Sequence, residues 1–386
     1  MLKKVLILAL IWGVAAGAPA LAAGNHQDGP GLTPQNFNHR LEAVERALAE
    51  QKETAAPERA TPSAALFGER LTLSGLVEVE AVAAEDFTGN TSSDISLATV
   101  EIGLDASLSP WAGAHLVFLH EEDQDGERLQ VDQGTITLGN PDLLPLYLTA
   151  GKMYVPFGSY ESSMISDPLT LELGETKESA LQLGFTTSSL YGSLYGFNGD
   201  IDETDKDDAL RSYGARLGLT VEQDGWGATL GVDWLNNMAD TDSLQDHLAQ
   251  TSTTVDDLSA AIALQAGLRL GAWNIVAEYV TALDAFGVGE MDFKGRGAKP
   301  AAFMAELAYA TEISGRPLTM AMGYQQSEEA VVLGLPEYRI VGSLRIGILD
   351  HTSLAFEYAH DDDYSQSAGG SGGDGYTATM QLAYEF

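Results

Sequence analysis

The chain has 386 residues, with 20 Lys and Arg against 56 Asp and Glu, a formal net charge of -36 and no Cys. The acid excess argues against a nucleic-acid interface, which needs a basic footprint. The missing Cys excludes a disulfide framework, thiolate-ligated zinc and a Cys nucleophile. Beyond the N-terminus no apolar run approaches the roughly 18 residues of a membrane-spanning helix.

Residues 1–22 read as a secretory signal peptide: Lys3 and Lys4, an apolar core over Val5 to Ala16, and a small-x-small cleavage site at Ala20-Leu21-Ala22. Residues 23–70 form a separate arm. Within it Thr33-Pro34 opens a helix over 34–53 as N-cap and N1. Phe37, Leu41, Val44 and Leu48 follow at alternating spacings of 4 and 3, the a/d pattern of a short coiled coil. Such a coil would help to oligomerise the protein; the alternative is a monomeric amphipathic helix. Ala55 to Ala65, rich in Ala, Pro and Thr, is a linker.

From Leu71 the period becomes two. In the last segment Tyr376, Ala378, Met380, Leu382, Tyr384 and Phe386 share one face and Thr377, Thr379, Gln381 and Glu385 the other. Sixteen such segments follow near 71–85, 95–108, 112–122, 128–139, 146–154, 179–187, 190–198, 210–222, 225–237, 260–270, 273–283, 300–312, 317–327, 337–348, 351–360 and 376–386. Alternation also suits a soluble sandwich. Length separates the two: soluble strands centre on about 5–6 residues, whereas bilayer-crossing strands need about 9–11. The connections also alternate, short at Ser109-Pro110 or Gln223-Asp224 and long near 86–94, 155–178, 238–259 and 284–299. That is the habit of an outer-membrane barrel, with tight periplasmic turns and longer external loops. The predicted fold is therefore all-β and transmembrane: an antiparallel outer-membrane β-barrel of about 16 strands over 71–386, with 14 or 18 as alternatives. Trp111, Tyr147, Trp226, Trp273, Tyr338 and Tyr384 near strand ends suit an interfacial girdle. The terminal Phe386 suits recognition by barrel-assembly machinery. Sixteen strands leave an aqueous lumen.

No H-E-x-x-H, nucleophile elbow or phosphate loop occurs, so no catalytic residue, cofactor or metal ligand is expected. The acidic tips at 200–208 and 361–363 suit solvated external loops, with lipopolysaccharide as a neighbour. The informative connection is 155–178, VPFGSYESSMISDPLTLELGETKE. Pro156 ends strand pairing and Gly158 permits a sharp turn. Met164, Ile165, Leu169, Leu171 and Leu173 are too apolar for a free tip, so the loop should fold inward and narrow the lumen. Tyr160, Glu161, Asp167, Glu172, Glu175 and Lys177 would line that constriction, with Lys152 on the wall below. The alternative is a loop that only caps the barrel or meets a neighbouring subunit.

The block LTAGKMYVPFGSYESSMISDPLTLELGET (148–176), with YGFNGD (195–200), LSGLVEVEA (73–81) and the terminal LAYEF, resembles the LbtU-type siderophore porins, the legiobactin-receptor family. The resemblance implies a sixteen-stranded porin passing a ferric siderophore independently of TonB; porin habit and the heptads add a homotrimer. A lumen so acidic favours cations over anions, while ferric polycarboxylate complexes are often anionic. A general or differently selective porin is the alternative, and an outer-membrane enzyme a more distant one.

Overall fold

The computed structural model describes residues 70–122, 129–140, 143–206, 209–250 and 254–386. The signal peptide and the coiled-coil positions Phe37, Leu41, Val44 and Leu48 lie outside the described residues.

Sixteen strands make one closed antiparallel barrel in which every neighbour is consecutive in the chain. They are β1 (Leu71–Glu85), β2 (Thr91–Ser109), β3 (Ala112–Glu121), β4 (Gln130–Gly139), β5 (Leu146–Tyr154), β6 (Lys177–Thr186), β7 (Leu190–Phe197) and β8 (Ser212–Gln223). The second half comprises β9 (Trp226–Leu235), β10 (Ala261–Leu270), β11 (Trp273–Ala282), β12 (Ala301–Ile313), β13 (Arg316–Glu328), β14 (Tyr338–Leu349), β15 (Thr352–Asp362) and β16 (Asp374–Glu385). β1 closes on β16 from Leu76↔Glu385 to Glu85↔Tyr376. Closure leaves no open edge, so all strand N–H and C=O groups can pair within lipid.

The outward face carries Leu181, Leu217, Leu230, Leu264 and Met322, all well exposed. In water so much bare apolar surface would be an aggregation liability; on a barrel wall it is the lipid contact. One rim has short turns. Ser314 and Gly315 both take positive φ, 54° and 74°, the two-residue hairpin geometry that matches strand twist. Trp111, Trp226, Trp273 and Tyr384 are exposed along this rim, and Trp273 packs on Tyr309 at 4.6 Å between centroids. Tyr147 leaves the predicted girdle. Its hydroxyl accepts from Gln182 at 3.1 Å, on the face where Thr149 meets Thr137. Phe386 extends the last strand, exchanging backbone hydrogen bonds with Gly75 at 2.9 and 3.0 Å, and its ring covers that glycine.

The other rim carries the long connections. The expected loop near 86–94 is shorter than read, because β2 runs back to Thr91. Asp86 explains this: its carboxylate accepts from the backbone of Thr88 at 2.8 Å and of Asn90 at 2.9 Å, making a tight turn. Described parts of the 155–178, 238–259 and 284–299 connections, with Tyr364 and Ala368, pack together. The main buried cluster lies under this rim, inside the barrel. It joins Phe157, Leu169 and Leu173 of the 155–176 segment to Leu244 and Leu248 of helix α2 (Asp242–Ala249), and to Phe286, Met291 and Tyr364 from later loops.

Candidate functional site

The segment 155–176 leaves β5 at Tyr154, enters the lumen and returns at Lys177. It contains helix α1 (Leu169–Gly174). Pairing stops at Pro156, and Gly158 takes φ +80° as its composition requires. From there the backbone runs as a strap across the inner wall. Such a segment has no ladder partner, so its N–H groups need acceptors.

Wall carboxylates supply them. Asp233 on β9 accepts from the Gly158 N–H at 2.8 Å. Glu278 on β11 accepts from Ser159 at 2.6 Å and Tyr160 at 3.0 Å, and from the Thr170 hydroxyl at 3.0 Å. Glu306 on β12 takes the Ser162 hydroxyl at 2.8 Å and the Ser163 N–H at 2.9 Å. Glu357 on β15 takes the N–H groups of Ile165 and, at 3.0 Å, Ser166. Gln325 on β13 accepts from Leu169 at 2.9 Å, and Ser343 on β14 donates to the Ser163 carbonyl at 2.9 Å. Those to the carboxylates, in their ionised form, are charge-assisted bonds in a partly desolvated site, the stronger kind. They attach the strap from β9 to β15, about half the circumference.

Apolar contacts add to this. Met164 sits on a patch of Ala308, Ala321, Val341 and Ala359. Gly323 lies in the same niche, where a β-carbon would come 3.3 Å from the Met164 methyl. At the strap's root Arg216 forks onto fully buried Asp233 at 2.9 and 2.8 Å and also donates to the Gly158 carbonyl.

The predicted site residues divide. Tyr160 does not line a passage: it is 0% exposed and packs against Gly158 and Gly174. Its positive φ of 54° turns it back under the strap. Glu161, Asp167, Glu172 and Glu175 keep some contact with the lumen. Arg339, bonded through two nitrogens to Asp361 at 2.8 and 3.0 Å, also donates to the Asp167 carbonyl at 3.4 Å. Lys177 pairs with buried Asp132 at 2.9 Å, where the Tyr154 hydroxyl also donates at 3.0 Å. Lys152 stands apart, its ammonium on the Val131 carbonyl at 3.2 Å. Burial, with Asp242 and Asp167 nearby, holds the Glu175 carboxyl well above the usual range. Burial also raises Glu172, against the pull of Arg339.

The tethers Asp233, Glu278, Glu306 and Glu357 were not legible as a set. Each sits singly in its strand, as in Ala-Glu-Tyr-Val or Phe-Glu-Tyr-Ala, and reads only as a polar lumen position. The available signal was a single acid between apolar or aromatic neighbours, as in Val232-Asp233-Trp234 and Phe356-Glu357-Tyr358. The arrangement has no nucleophile–base pair. It can exclude, admit and select by size and charge.

No family model matches the chain. It is similar to a UPF0422 protein of Coxiella burnetii, 28% identical over 305 residues, covering 78% of this chain and 66% of that protein. A UPF0422 protein of Legionella pneumophila is 29% identical over 331 residues, covering 79% and 62%. The chain thus matches just under two thirds of these relatives' length. Among solved structures it is similar to the outer-membrane channel DcaP of Acinetobacter baumannii (14% identity, TM-score 0.55, 82% and 97% covered). An anion-selective porin from Comamonas acidovorans (11%, 0.56, 82% and 99%) and OprB of Pseudomonas putida (9%, 0.58, 83% and 96%) share the same barrel. At these identities the likeness is one of fold: this is a porin-type barrel.

Proposed function

We propose that the protein is an outer-membrane diffusion channel in which the strap narrows the passage, with short turns and N-terminus in the periplasm and long loops outside. The observation that carries this is the chain of wall carboxylates, with the Gln325 amide, holding residues 158–169 inside the barrel. A free loop would leave a wide pore; a tethered one sets a constant radius and presents Glu161, Asp167 and Glu172 to the solute.

The cargo that the resemblance implies is a ferric siderophore, taken up without TonB. The acidic passage favours a complex of neutral or positive charge over an anionic one. The second reading, a cation-preferring channel for small solutes, rests on that same acidity. Trimerisation through the N-terminal heptads, contact with lipopolysaccharide and assembly through Phe386 belong to the same proposal. Single-channel conductance of the refolded protein, titrated with ferric siderophores of both charge signs, tests it. Saturable block by a neutral or cationic complex supports the siderophore reading. Steady cation-selective current indifferent to every complex refutes it and leaves the small-solute channel. Absence of any conductance removes both.

A further inference from the structure

The outer wall carries a second aromatic girdle at the long-loop rim, and it covers only part of the circumference. Tyr213 on β8 packs on Trp234 of β9 at 5.6 Å between centroids. Tyr324 of β13 meets Tyr338 of β14 at 6.4 Å, and Tyr358 of β15 meets Tyr376 of β16 at 6.1 Å. With exposed Tyr279 of β11 they mark where β8–β16 meet the outer headgroups. Over β1–β7 the belt stops. Trp111, at the opposite rim, is the one well-exposed aromatic among the described residues of 70–198, and Tyr154 gives its hydroxyl to Asp132. The wall is also low in this sector. β5 has 9 residues and β7 has 8, against 13 in each of β12 and β13. At about 3.3 Å per residue and a tilt of about 40°, that is roughly 20–23 Å of wall against roughly 33 Å, where the apolar band stands about 25 Å tall.

Lys152 lies in the same sector, on the outer face. Ile136, Ala150 and Leu181 form one cross-strand row, and Ile136 and Leu181 are exposed where lipid would lie. Two positions further, Gly134, Lys152 and Ser179 form a row on that same face, while the intervening strand neighbour Met153 belongs to the core inside the barrel. Lys152 is six positions beyond Leu146, the short-turn end of β5, so it stands about 15 Å up a band of about 25 Å. A lysine facing acyl chains at the mid-plane costs about 2–4 kcal/mol. Its ammonium can donate three hydrogen bonds; among the described residues it meets the Val131 carbonyl, at 3.2 Å. The outer headgroups lie roughly 10 Å further out on this scale, beyond the length of its four-carbon stem. Residues 23–70, with the heptad positions Phe37, Leu41, Val44 and Leu48, join the barrel at Leu71, the short-turn end of β1. A coil shared between copies gathers those ends on one axis, which turns the β1 side of each barrel toward its neighbours.

We infer that the outer face of β1–β7, with Val131, Lys152 and Ser179 near its centre, is covered by further copies of this chain. Lys152 then meets protein acceptors in place of acyl chains, and the neighbouring wall makes up the missing height. No aromatic belt is needed there, because no headgroup enters the seam. The inference rests on the oligomer of the reading above and assigns the barrel face that builds it.

Photo-cross-linking in intact outer membranes tests this. Benzoylphenylalanine replaces Ser179 or Val131 on the assigned face, and Met322 of β13 or Leu264 of β10 on the far wall; all four side chains are already exposed. Illumination should turn the Ser179 and Val131 variants into adducts of two chains and leave the Met322 and Leu264 variants with lipid adducts alone. Lipopolysaccharide adducts without chain–chain adducts at Ser179 and Val131 overturn the inference in favour of a lipid-covered face. Chain–chain adducts formed as readily from Met322 or Leu264 overturn it as well. Sedimentation of the wild-type protein in detergent gives an answer independent of the variants' folding. A monomer defeats the oligomer reading itself, whereas an oligomer whose adducts come from the far wall defeats only the assigned face.

Discussion

Glu278→Ala probes the strap most directly. The carboxylate is 4% exposed and accepts from Ser159, Tyr160 and Thr170. Hydrogen bonds to a charged partner contribute about 1.5–3 kcal/mol each, so three would approach roughly 5–9 kcal/mol if they added. They do not add. Ser159 is only partly buried, so its N–H can regain water, the Thr170 hydroxyl can rotate, and deleting a buried charge returns part of its desolvation cost. We expect a net loss of about 3–5 kcal/mol. It should fall on the strap, because the sixteen-strand ladder does not include it. At about 1.4 kcal/mol per factor of ten, local opening should rise by roughly two to three and a half orders of magnitude. Native-state hydrogen exchange should show lost protection over 158–171, unchanged protection in the strand centres, and larger, noisier single-channel current. Unchanged protection at Ser159 and Tyr160 would refute the tether argument, since nothing else in the geometry accepts those two amides.

Three further expectations follow from the same contacts. Met164→Ala empties the niche of Ala308, Ala321, Val341 and Ala359 and should cost about 2–5 kcal/mol, read as earlier proteolysis within the strap while the barrel stays folded. Arg216→Met leaves Asp233, at 0% exposure, as an unpaired buried charge; removing one member of such a pair costs about 3–5 kcal/mol, and thermal unfolding in detergent should drop accordingly. Arg216→Lys should recover only part of it, because the two-pronged contact is lost. Glu175 supplies a pH dependence of opposite sign to ordinary paired acids. Its folded pKa lies above the ordinary carboxylate value, so the folded state binds the extra proton, and this contribution falls as pH rises through and above that value. Amide protection where the Asp242 N–H meets the Glu175 carbonyl, at 2.8 Å, should weaken on raising pH above about 4.5, and Glu175→Gln should flatten the trend.

The barrel wall was legible because its information is local. Period-two alternation, strand length and turn residues act within one hairpin, and consecutive strands pair, so reading each hairpin reads the sheet. Even the inward course of 155–176 could be inferred, since Leu169, Leu171 and Leu173 had to be covered by something. Tyr160 shows the limit of that reading. A tyrosine in a lumen loop reads equally as pore lining or as loop core, and the positive φ that turns it inward is set by contacts with Gly158 and Gly174.

The amino-acid sequence by itself located the strands to within a few residues, gave their order and a count of about sixteen, and marked 155–178 as a loop too apolar to be free, because each follows from neighbours a few positions apart. Only the tertiary structure decided what the acidic residues do. Glu278 lies 118 positions from Tyr160, Glu306 lies 143 from Ser163 and Glu357 lies 191 from Ser166. No periodicity links positions so distant. Closure of the barrel brings them to one wall, and the unpaired N–H groups of the strap then turn scattered lumen acids into its anchors.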